Sequence, residues 1–441
     1  MARFSQKETI YALASGKHKA AISIIRISGK EVKNLIKLLT KNKLPKPREA
    51  SLCFLHDPKT NEKLEQALLV YFPAPHSYSG EDMAELHIHG GQAGKEMLLT
   101  LLGEQKNTRL AEAGEFTQRA VLNGKMDLLK AEAIADIIDA ETTAQHKQAL
   151  HQMGGGFSDK ITKWREGLLE VLANIEADIE FADEDLPGGI GKKALTQAQE
   201  ILTEIEAQLK ETRGEKLRDG VEIAIIGPPN SGKSSLLNLL AGRDAAITTD
   251  KAGTTRDIIE VQMVLKGIPC ILADMAGIRE STDTIEQEGI RRAQAKAANA
   301  DICLVLDSTE SKTPFKGFQT FGTKALYLLN KTDLTQPKPQ KGIFPISIKQ
   351  NKGIEAFLTA LEDRLDTQYN TSTPPLITRA RHRQSLQKTA QSLTRALTNP
   401  TPPELTAEDL RQATTHLSHL HGTLDIETLL DKIFSTFCIG K

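Results

Sequence analysis

The pattern of apolar and polar positions changes character several times along this chain. Residues 20–27 (AAISIIRI), 66–72 (QALLVYF) and 84–88 (AELHI) are short apolar runs, and Pro73, Pro75 and Gly80 stand between the last two. Such runs read as strands, so residues 1–120 are expected to form an α+β module. From residue 126 to 150 the period shifts. Leu128, Ala131, Ile134, Ala135 and Ile138 recur at spacings of three and four, which predicts an amphipathic helix. Residues 160–181 and 194–217 continue in the same way, Gly154-Gly155-Gly156 should kink or split the run, and 185–193 (DLPGGIGKK) reads as a loop. Strand-type runs return at 221–226, 268–273 and 325–329, with helical segments at 235–243 and 354–365 and a break at 371–375. Residues 378–399 and about 406–436 are expected to be helical, separated by Pro400, Pro402 and Pro403. Thr406-x-x-Asp409 resembles a capping box opening the second of these. No repeat of solenoid type is present.

The strand at 221–226 and the helix at 235–243 bracket Gly227-Pro228-Pro229-Asn230-Ser231-Gly232-Lys233-Ser234, which fits G-x-x-x-x-G-K-[ST]. Glycines there let backbone N–H groups turn inward around phosphate oxygens, beside a helix N-terminus that already favours anions. Asn230, Ser231, Gly232, Lys233, Ser234 and Ser235 are therefore candidate phosphate contacts. Lys233 would reach the β- and γ-phosphates and Ser234 would ligate Mg²⁺. The run 268–273 leads into Asp274-Met275-Ala276-Gly277, a D-x-x-G element in which Asp274 holds Mg²⁺ through water and Gly277 N–H senses the γ-phosphate. The run 325–329 leads into Asn330-Lys331-Thr332-Asp333. In N-K-x-D the Asp333 carboxylate accepts hydrogen bonds from guanine N1–H and its 2-amino group, and the Lys331 stem packs along the base. Adenine has neither donor and would leave the carboxylate unpaired. Ser347 opens a segment, Ser347-Ile348-Lys349, placed where a loop would contact guanine O6. Three motifs in order after the phosphate loop select GTP.

The helical segments on both sides of this unit each have an apolar stripe to cover. One shared bundle with the nucleotide-binding unit inserted is the economical solution; separate helical caps are the alternative. The expected fold is thus multidomain α/β: an N-terminal α+β domain at 1–120, an all-helical domain contributed by 121–217 and 371–441, and an inserted P-loop GTPase domain with a mostly parallel sheet at 218–370.

Composition narrows the picture slightly. The 441 residues allow two to four domains, and 39% hydrophobic content is that of a globular chain. With 56 basic and 57 acidic residues the formal net charge is −1, so any contact with nucleic acid must be a local patch. Cys53, Cys270, Cys303 and Cys438 form no C-x-x-C pair, which excludes zinc-ribbon and disulfide-framework readings; Cys270 and Cys303 fall in apolar strand runs and are expected in the core. No signal peptide and no apolar run of membrane-spanning length are visible, so a cytoplasmic protein without membrane contact is expected.

Several further blocks resemble the MnmE (TrmE) family of tRNA-modification GTPases. They are Ile25-Arg26-Ile27-Ser28-Gly29, Ser79-Gly80-Glu81-Asp82, Glu85-Leu86-His87-Ile88-His89-Gly90-Gly91, and the stretch 113–128 (AGEFTQRAVLNGKMDL). Gly253-Thr254-Thr255-Arg256-Asp257 and the terminal Cys438-Ile439-Gly440-Lys441 match as well, so the likeness runs the whole length. The resemblance implies a GTPase that modifies the wobble uridine of certain tRNAs at carbon 5. It implies a homodimer paired through the N-terminal domains, an FAD-containing partner of the MnmG type in a heterotetramer, and a tetrahydrofolate derivative (5-formyl or 5,10-methylene) as one-carbon donor. On matching positions the folate contacts are Arg26, Glu85, Lys125 and Lys441. One loop departs from the family: Gly16-Lys17-His18-Lys19-Ala20-Ala21 stands where Pro-Pro-Gly-x-Gly-Gly is usual.

The resemblance also supplies a hydrolysis mechanism. The position directly after D-x-x-G is Ile278, which has no group to orient water, and the segment 278–289 (IRESTDTIEQEG) carries several carboxylates among which periodicity does not choose. Glu286 matches the family's catalytic glutamate. Asn230, with Thr249, Lys251 and Thr254, matches the shell of a potassium ion that supplies positive charge where other GTPases use an arginine finger, and Thr255 matches a second Mg²⁺ ligand. Lys251 and Met275 depart from the family's commoner residues. Cys438 matches a position near the folate and uridine chemistry. Two other functions share the phosphate loop: a GTPase switch that assembles ribosomal RNA, and a phosphotransferase. The first usually carries an RNA-binding tail with a basic patch or G-x-x-G, absent from this C-terminus, and N-K-x-D argues against the second.

Overall fold

The computed structural model describes residues 8–180, 190–242, 246–247, 260–274, 300–316, 318–338, 340–370, 374–398, 402–422, 433–434, 437 and 440. The chain divides into two compact units, residues 1–135 with 153–201 and 391–441, and residues 136–152 with 202–390.

The first unit holds a six-stranded sheet of β1 (Thr9–Leu13), β2 (Ala20–Ser28), β3 (Ser51–His56), β4 (Lys63–Phe72), β5 (Met83–Gly90) and β6 (Thr108–Leu110), ordered β3-β4-β5-β2-β1-β6. All pairings are antiparallel except β1 with β6. The helices α1 (Val32–Leu39) and α2 (Gln92–Gly103) bury Val32, Leu35, Ile36, Leu98 and Leu102 with the sheet residues Ile25, Ile27, Leu69, Leu86 and Ile88 in one apolar core. Burial alternates along β2 and β5, so Ile24, Arg26, Glu85 and His87 face away from that core. The strands β1, β3 and β6 were not evident in the residue pattern. The edge strand β3 carries Leu52 and Phe54 at 69% and 42% exposure, which blurs the period of a half-buried strand.

A short helix α3 (Glu115–Leu122) follows, then α4 (Leu128–Asp139), α5 (Thr143–Met153), α6 (Gly156–Glu180), α7 (Ile190–Leu209) and α8 (Arg213–Asp219). The expected glycine break falls between α5 and α6, where Gly155 takes φ +96°. The runs expected to be helical at 126–150 and 194–217 are helical, each as two helices, and α7 already begins at Ile190 inside the stretch read as loop.

The second unit is built on a seven-stranded sheet. Its strands are β7 (Val221–Ile226), β8 (Ala246–Ile247), β9 (Glu260–Leu265), β10 (Ile268–Asp274), β11 (Ile302–Ser308), β12 (Ala325–Asn330) and β13 (Ile343–Pro345), ordered β13-β12-β11-β7-β10-β9-β8. The five strands from β13 to β10 are parallel; β9 and β8 add an antiparallel edge. Here α9 (Lys233–Ala241) and α10 (Ile354–Tyr369) cover the sheet, burying Leu236, Leu240, Phe357 and Leu361 against Ile223, Ile225, Leu304 and Leu328. Cys270 and Cys303 are buried in their strands as expected, and burial pushes the Cys270 thiol up to about 12.

The last helices are α11 (Ala380–Thr398) and α12 (Pro403–His421). Within the first unit α12 packs lengthwise on α6, and Arg411 and Arg165 tie the pair through Glu176 at 2.8 Å and Ser418 Oγ at 3.1 Å. A segment preceding the nucleotide-binding sheet and one following it thus share a bundle, the arrangement an insertion requires. The helix α12 starts three residues before the expected capping box. Pro402 is its N-cap and Pro403 supplies a preset φ with no N–H to satisfy, so Thr406 lies inside the helix, 1% exposed. It ends at His421, where Gly422 closes it in the left-handed region at φ +77°; of the rest of the run expected to about 436, residues 433 and 434 are helical and the others, apart from Gly422, lie outside the described residues.

Candidate functional site

Parallel pairing brings the C-terminal ends of β7, β10, β11 and β12 to one edge, the side on which open α/β sheets bind ligands. Asp274 stands in register with Ile225, Val305 with Ile226, and Ser308 with Asn330. The segment 227–232 leaves β7 at this edge and enters α9. Gly227 has φ +151°, and a Cβ there would meet the Leu306 carbonyl at 1.9 Å, so the loop starts by passing directly over β11. Asn230 takes the left-handed conformation at φ +59° and is exposed at the rim. Gly232 is the left-handed N-cap of α9; a Cβ there would sit 2.5 Å from Asn330 Nδ2. Both glycines are required by close approach. The loop wraps a nine-residue helix whose first N–H groups face the turn. Lys233 folds back over it, donating from Nζ to the carbonyls of Gly227 at 3.1 Å and Pro228 at 2.9 Å. Ser231 Oγ is buried and has no hydrogen-bond partner among the described residues.

The N-K-x-D element is fastened to this loop by its own first residue. Asn330 is buried; its Nδ2 donates to the Ser231 carbonyl at 2.9 Å and its Oδ1 accepts from Ile348 N–H at 3.2 Å. One side chain therefore spaces the phosphate loop from the segment opened by Ser347. Lys331 is left-handed at φ +64°, its carbonyl accepts from Thr309 Oγ1 at 2.9 Å and its ammonium pairs with Glu310. Asp333 Oδ1 accepts from Ser347 Oγ at 2.6 Å, and that serine's oxygen in turn accepts from Gln350 N–H at 3.2 Å. The Ser347 hydrogen bond, with Lys349 and Lys331 nearby, holds the Asp333 carboxyl below the usual carboxylate range. An ionised, solvent-facing carboxylate fixed by a serine on one oxygen can accept two hydrogen bonds from a ligand edge. Asn230, Lys233, Ser234, Asn330, Lys331, Asp333 and Lys349 all line one cleft of about 940 Å³.

The sequence-predicted residues Asn230 to Ser235, Asn330, Lys331, Asp333 and Ser347 are thus brought together, with the backbone of Asp274 at the same edge. Thr249, Lys251, Thr254, Thr255, Gly277 and Glu286 lie outside the described residues, as do Cys438 and Lys441. Residue reasoning missed the spacing role of Asn330 and the Thr309 and Glu310 contacts that hold Lys331. These come from the end of β11, where no motif advertises them.

A second constellation lies on the outward face of the first unit's sheet. Arg26 and Glu85 are cross-strand partners on β2 and β5, bonded from Nε and Nη2 to Oε1 at 3.1 and 2.9 Å. The Arg26 guanidinium lies 5.4 Å from the ring of Tyr78 and 5.7 Å from that of Phe116, and Nη1 approaches the Gly440 carbonyl at 3.5 Å. Behind it a buried ionic network sets the loop and α3. Glu115 accepts from Arg109 at 2.7 Å and Arg119 at 2.9 Å, and Arg119 also reaches Glu81 at 3.0 Å. Lys125 donates to the Pro75 carbonyl at 2.9 Å. Tyr78, Phe116 and the Gly440 carbonyl were not predicted; only the fold brings them to Arg26. The replaced loop at 16–21 is anchored by Lys95, a buried ammonium donating to the Lys17 carbonyl at 2.8 Å.

A strand, a glycine loop that turns into a helix, and an N-K-x-D element latched to that loop by a buried asparagine make the second unit a P-loop GTPase domain. Comparison with known proteins extends this to the whole chain. The model of the MnmE helical domain matches residues 128–438, and that of the GTP-binding protein TrmE N-terminus matches residues 9–125. The tRNA modification GTPase MnmE of Parvibaculum lavamentivorans is 48% identical over 438 residues, covering 98% of this chain and 100% of that protein. Those of Beijerinckia indica and Paramagnetospirillum magneticum are 43% and 44% identical, each over 98% of this chain and over 96% and 100% of their own lengths. The chain belongs to the MnmE family of tRNA modification GTPases.

Proposed function

We propose that this protein is a potassium-activated GTP hydrolase that modifies carbon 5 of the wobble uridine in certain tRNAs, acting with an FAD-containing partner of the MnmG type in a heterotetramer. The observation that supports the GTPase part is the Asn330 latch, which ties the phosphate loop to the segment whose Ser347 bonds Asp333, the carboxylate that would read guanine. The loop N–H groups and Lys233 would hold the β- and γ-phosphates, and Ser234 with Thr255 would hold Mg²⁺, aided by Asp274 through water. Gly277 would sense the γ-phosphate. Asn230, left-handed and exposed at the rim, is free to turn its amide oxygen toward a potassium ion completed by Thr249, Lys251 and Thr254. A cation there supplies positive charge where it develops in phosphoryl transfer.

The first unit supports the folate reading. A guanidinium between two aromatic rings with a carboxylate beside it suits a flat heterocycle with hydrogen-bond donors and an acidic tail. The tetrahydrofolate derivative, 5-formyl or 5,10-methylene, would supply the one-carbon unit. Arg26 and Glu85 would orient it, with Lys125 and Lys441 at its carboxylates and Cys438 near the chemistry. The same sheet face supports pairing of two copies, because Ile22 and Leu52 are 62% and 69% exposed on it. Among the described residues no helix is long and apolar enough to cross a membrane.

The cation mechanism has a direct test. Hydrolysis should be faster in potassium than in sodium at matched ionic strength, because sodium's smaller radius suits this cage poorly. Asn230→Ala should erase the difference while GTP still binds. Equal rates for the unaltered protein in the two salts would remove the cation from the mechanism and leave the GTPase assignment intact.

A further inference from the structure

With a chain net charge of −1, attraction to RNA must come from a local concentration of cations, and the structure contains one. Residues 30–48 carry seven Lys or Arg side chains and one carboxylate, Glu31. They form α1 and the loop that leaves it. The apolar side of α1 is buried through Val32, Leu35, Ile36 and Leu39, which turns Lys33 and Lys37 outward one helical turn apart.

The loop is tightly built. Asn42 N–H donates to the Lys37 carbonyl at 2.7 Å, and Thr40 Oγ1 contacts the carbonyls of Ile36 and Lys43. Lys41 and Asn42 take left-handed conformations at φ +55° and +67°, and Arg48 does so at +61°. A flexible solvated run would not hold non-glycine residues there. Some of the charge is already engaged. Lys33 pairs with Asp82 at 3.1 Å, Lys46 with Glu49 at 3.6 Å, and Arg48 donates to the His76 carbonyl at 2.7 Å. Lys37, Lys41 and Lys43 are exposed and have no carboxylate partner among the described residues. Lys37 alone could be ascribed to the negative end of α1. Lys41 and Lys43 lie past that end, on backbone held in a fixed shape.

We propose that Lys37, Lys41 and Lys43 form a contact surface for the phosphate backbone of the tRNA substrate. This rests on the reading of tRNA as substrate and adds where the RNA is held. Contacts of this kind position an RNA without reading its sequence, and their strength falls with salt as counterions are released.

The test is binding of an unmodified tRNA transcript to the full-length protein across a salt series. The variants are Lys37→Glu/Lys41→Glu/Lys43→Glu and the triple Lys→Arg control. The charge-reversed protein should bind at least about tenfold more weakly near 0.1 M salt and show a shallower salt slope, by about 2 for three lost phosphate contacts. The arginine control should bind as the unaltered protein does, and all three should give the same far-ultraviolet circular dichroism and melting transition and hydrolyse GTP at the same basal rate, which shows that both units of the variants are folded. If the charge-reversed protein binds tRNA with the same affinity and slope, this surface is not the contact and the substrate reading stands. If it keeps RNA binding but loses adhesion to phosphatidylserine vesicles, the patch serves a membrane and the proposal is overturned. Failure of the unaltered protein to bind tRNA at all would overturn the proposal together with the substrate reading beneath it.

Discussion

Asp333→Asn turns the protein from GTP toward xanthosine triphosphate. The carboxylate presents two acceptors to guanine N1–H and the 2-amino group. An asparagine presents one acceptor and one donor, and its donor faces guanine's amino group. Xanthine carries a carbonyl at that carbon, so the pattern matches again. Ser347 Oγ donates to Asp333 Oδ1 at 2.6 Å and would donate equally to the amide oxygen, which leaves the amide nitrogen pointing at the base. Sites built to hydrogen-bond a substrate group reject analogues lacking it by large factors. Affinity for GTP should fall by at least about 10²-fold, with a gain of similar size for the xanthosine nucleotide. Titration of both nucleotides into both proteins measures it. Unchanged GTP affinity in the variant would remove Asp333 from base recognition.

Glu286→Ala should leave nucleotide binding near normal and lower hydrolysis by about 10²-fold or more, the scale of a lost group that positions water. Ile278 occupies the place where a glutamine would otherwise orient the nucleophile, and its sec-butyl side chain can neither accept nor donate. Either hydrolysis is slow or another group does the work, and the resemblance to the family points to Glu286. Because that group acts on the attacking water and not on the bound nucleotide, kcat and kcat/KM should fall together. Single-turnover hydrolysis in potassium buffer at saturating GTP is the measurement. Turnover that survives the substitution assigns the water to another residue.

The two regions differ in how far their sites could be read from residues alone. The phosphate loop is local: its glycines, lysine and serine are consecutive, and the strand and helix that flank it have clean periods. Asp333 and Ser347 were also legible, because a motif names them. What the motif does not reveal is that Asn330 works as a spacer between the phosphate loop and the Ser347 segment, since that depends on β12 lying two strands from β7. The Arg26 site was legible only through resemblance. Its parts come from residues 26, 78, 85 and 116 and the carbonyl of Gly440, and nothing in local pattern links them. Chain punctuation was misread where proline and glycine acted in ways the apolar period does not report. Pro403 opened α12 before the expected capping box, Gly422 closed that helix at His421, and the stretch before Ala194 was already helical in spite of its glycines. The hidden strand β3 shows the converse: its Leu52 and Phe54 are apolar residues that stay exposed among the described residues.

The central claim is that GTP hydrolysis by this chain serves modification of the tRNA wobble uridine. The most direct test is nucleoside analysis of tRNA from cells lacking the protein, beside cells in which it has been restored. The account predicts that one uridine derivative substituted at carbon 5 disappears, that its unsubstituted form accumulates, and that restoring the unaltered chain reverses both. An identical nucleoside profile with and without the protein would contradict it.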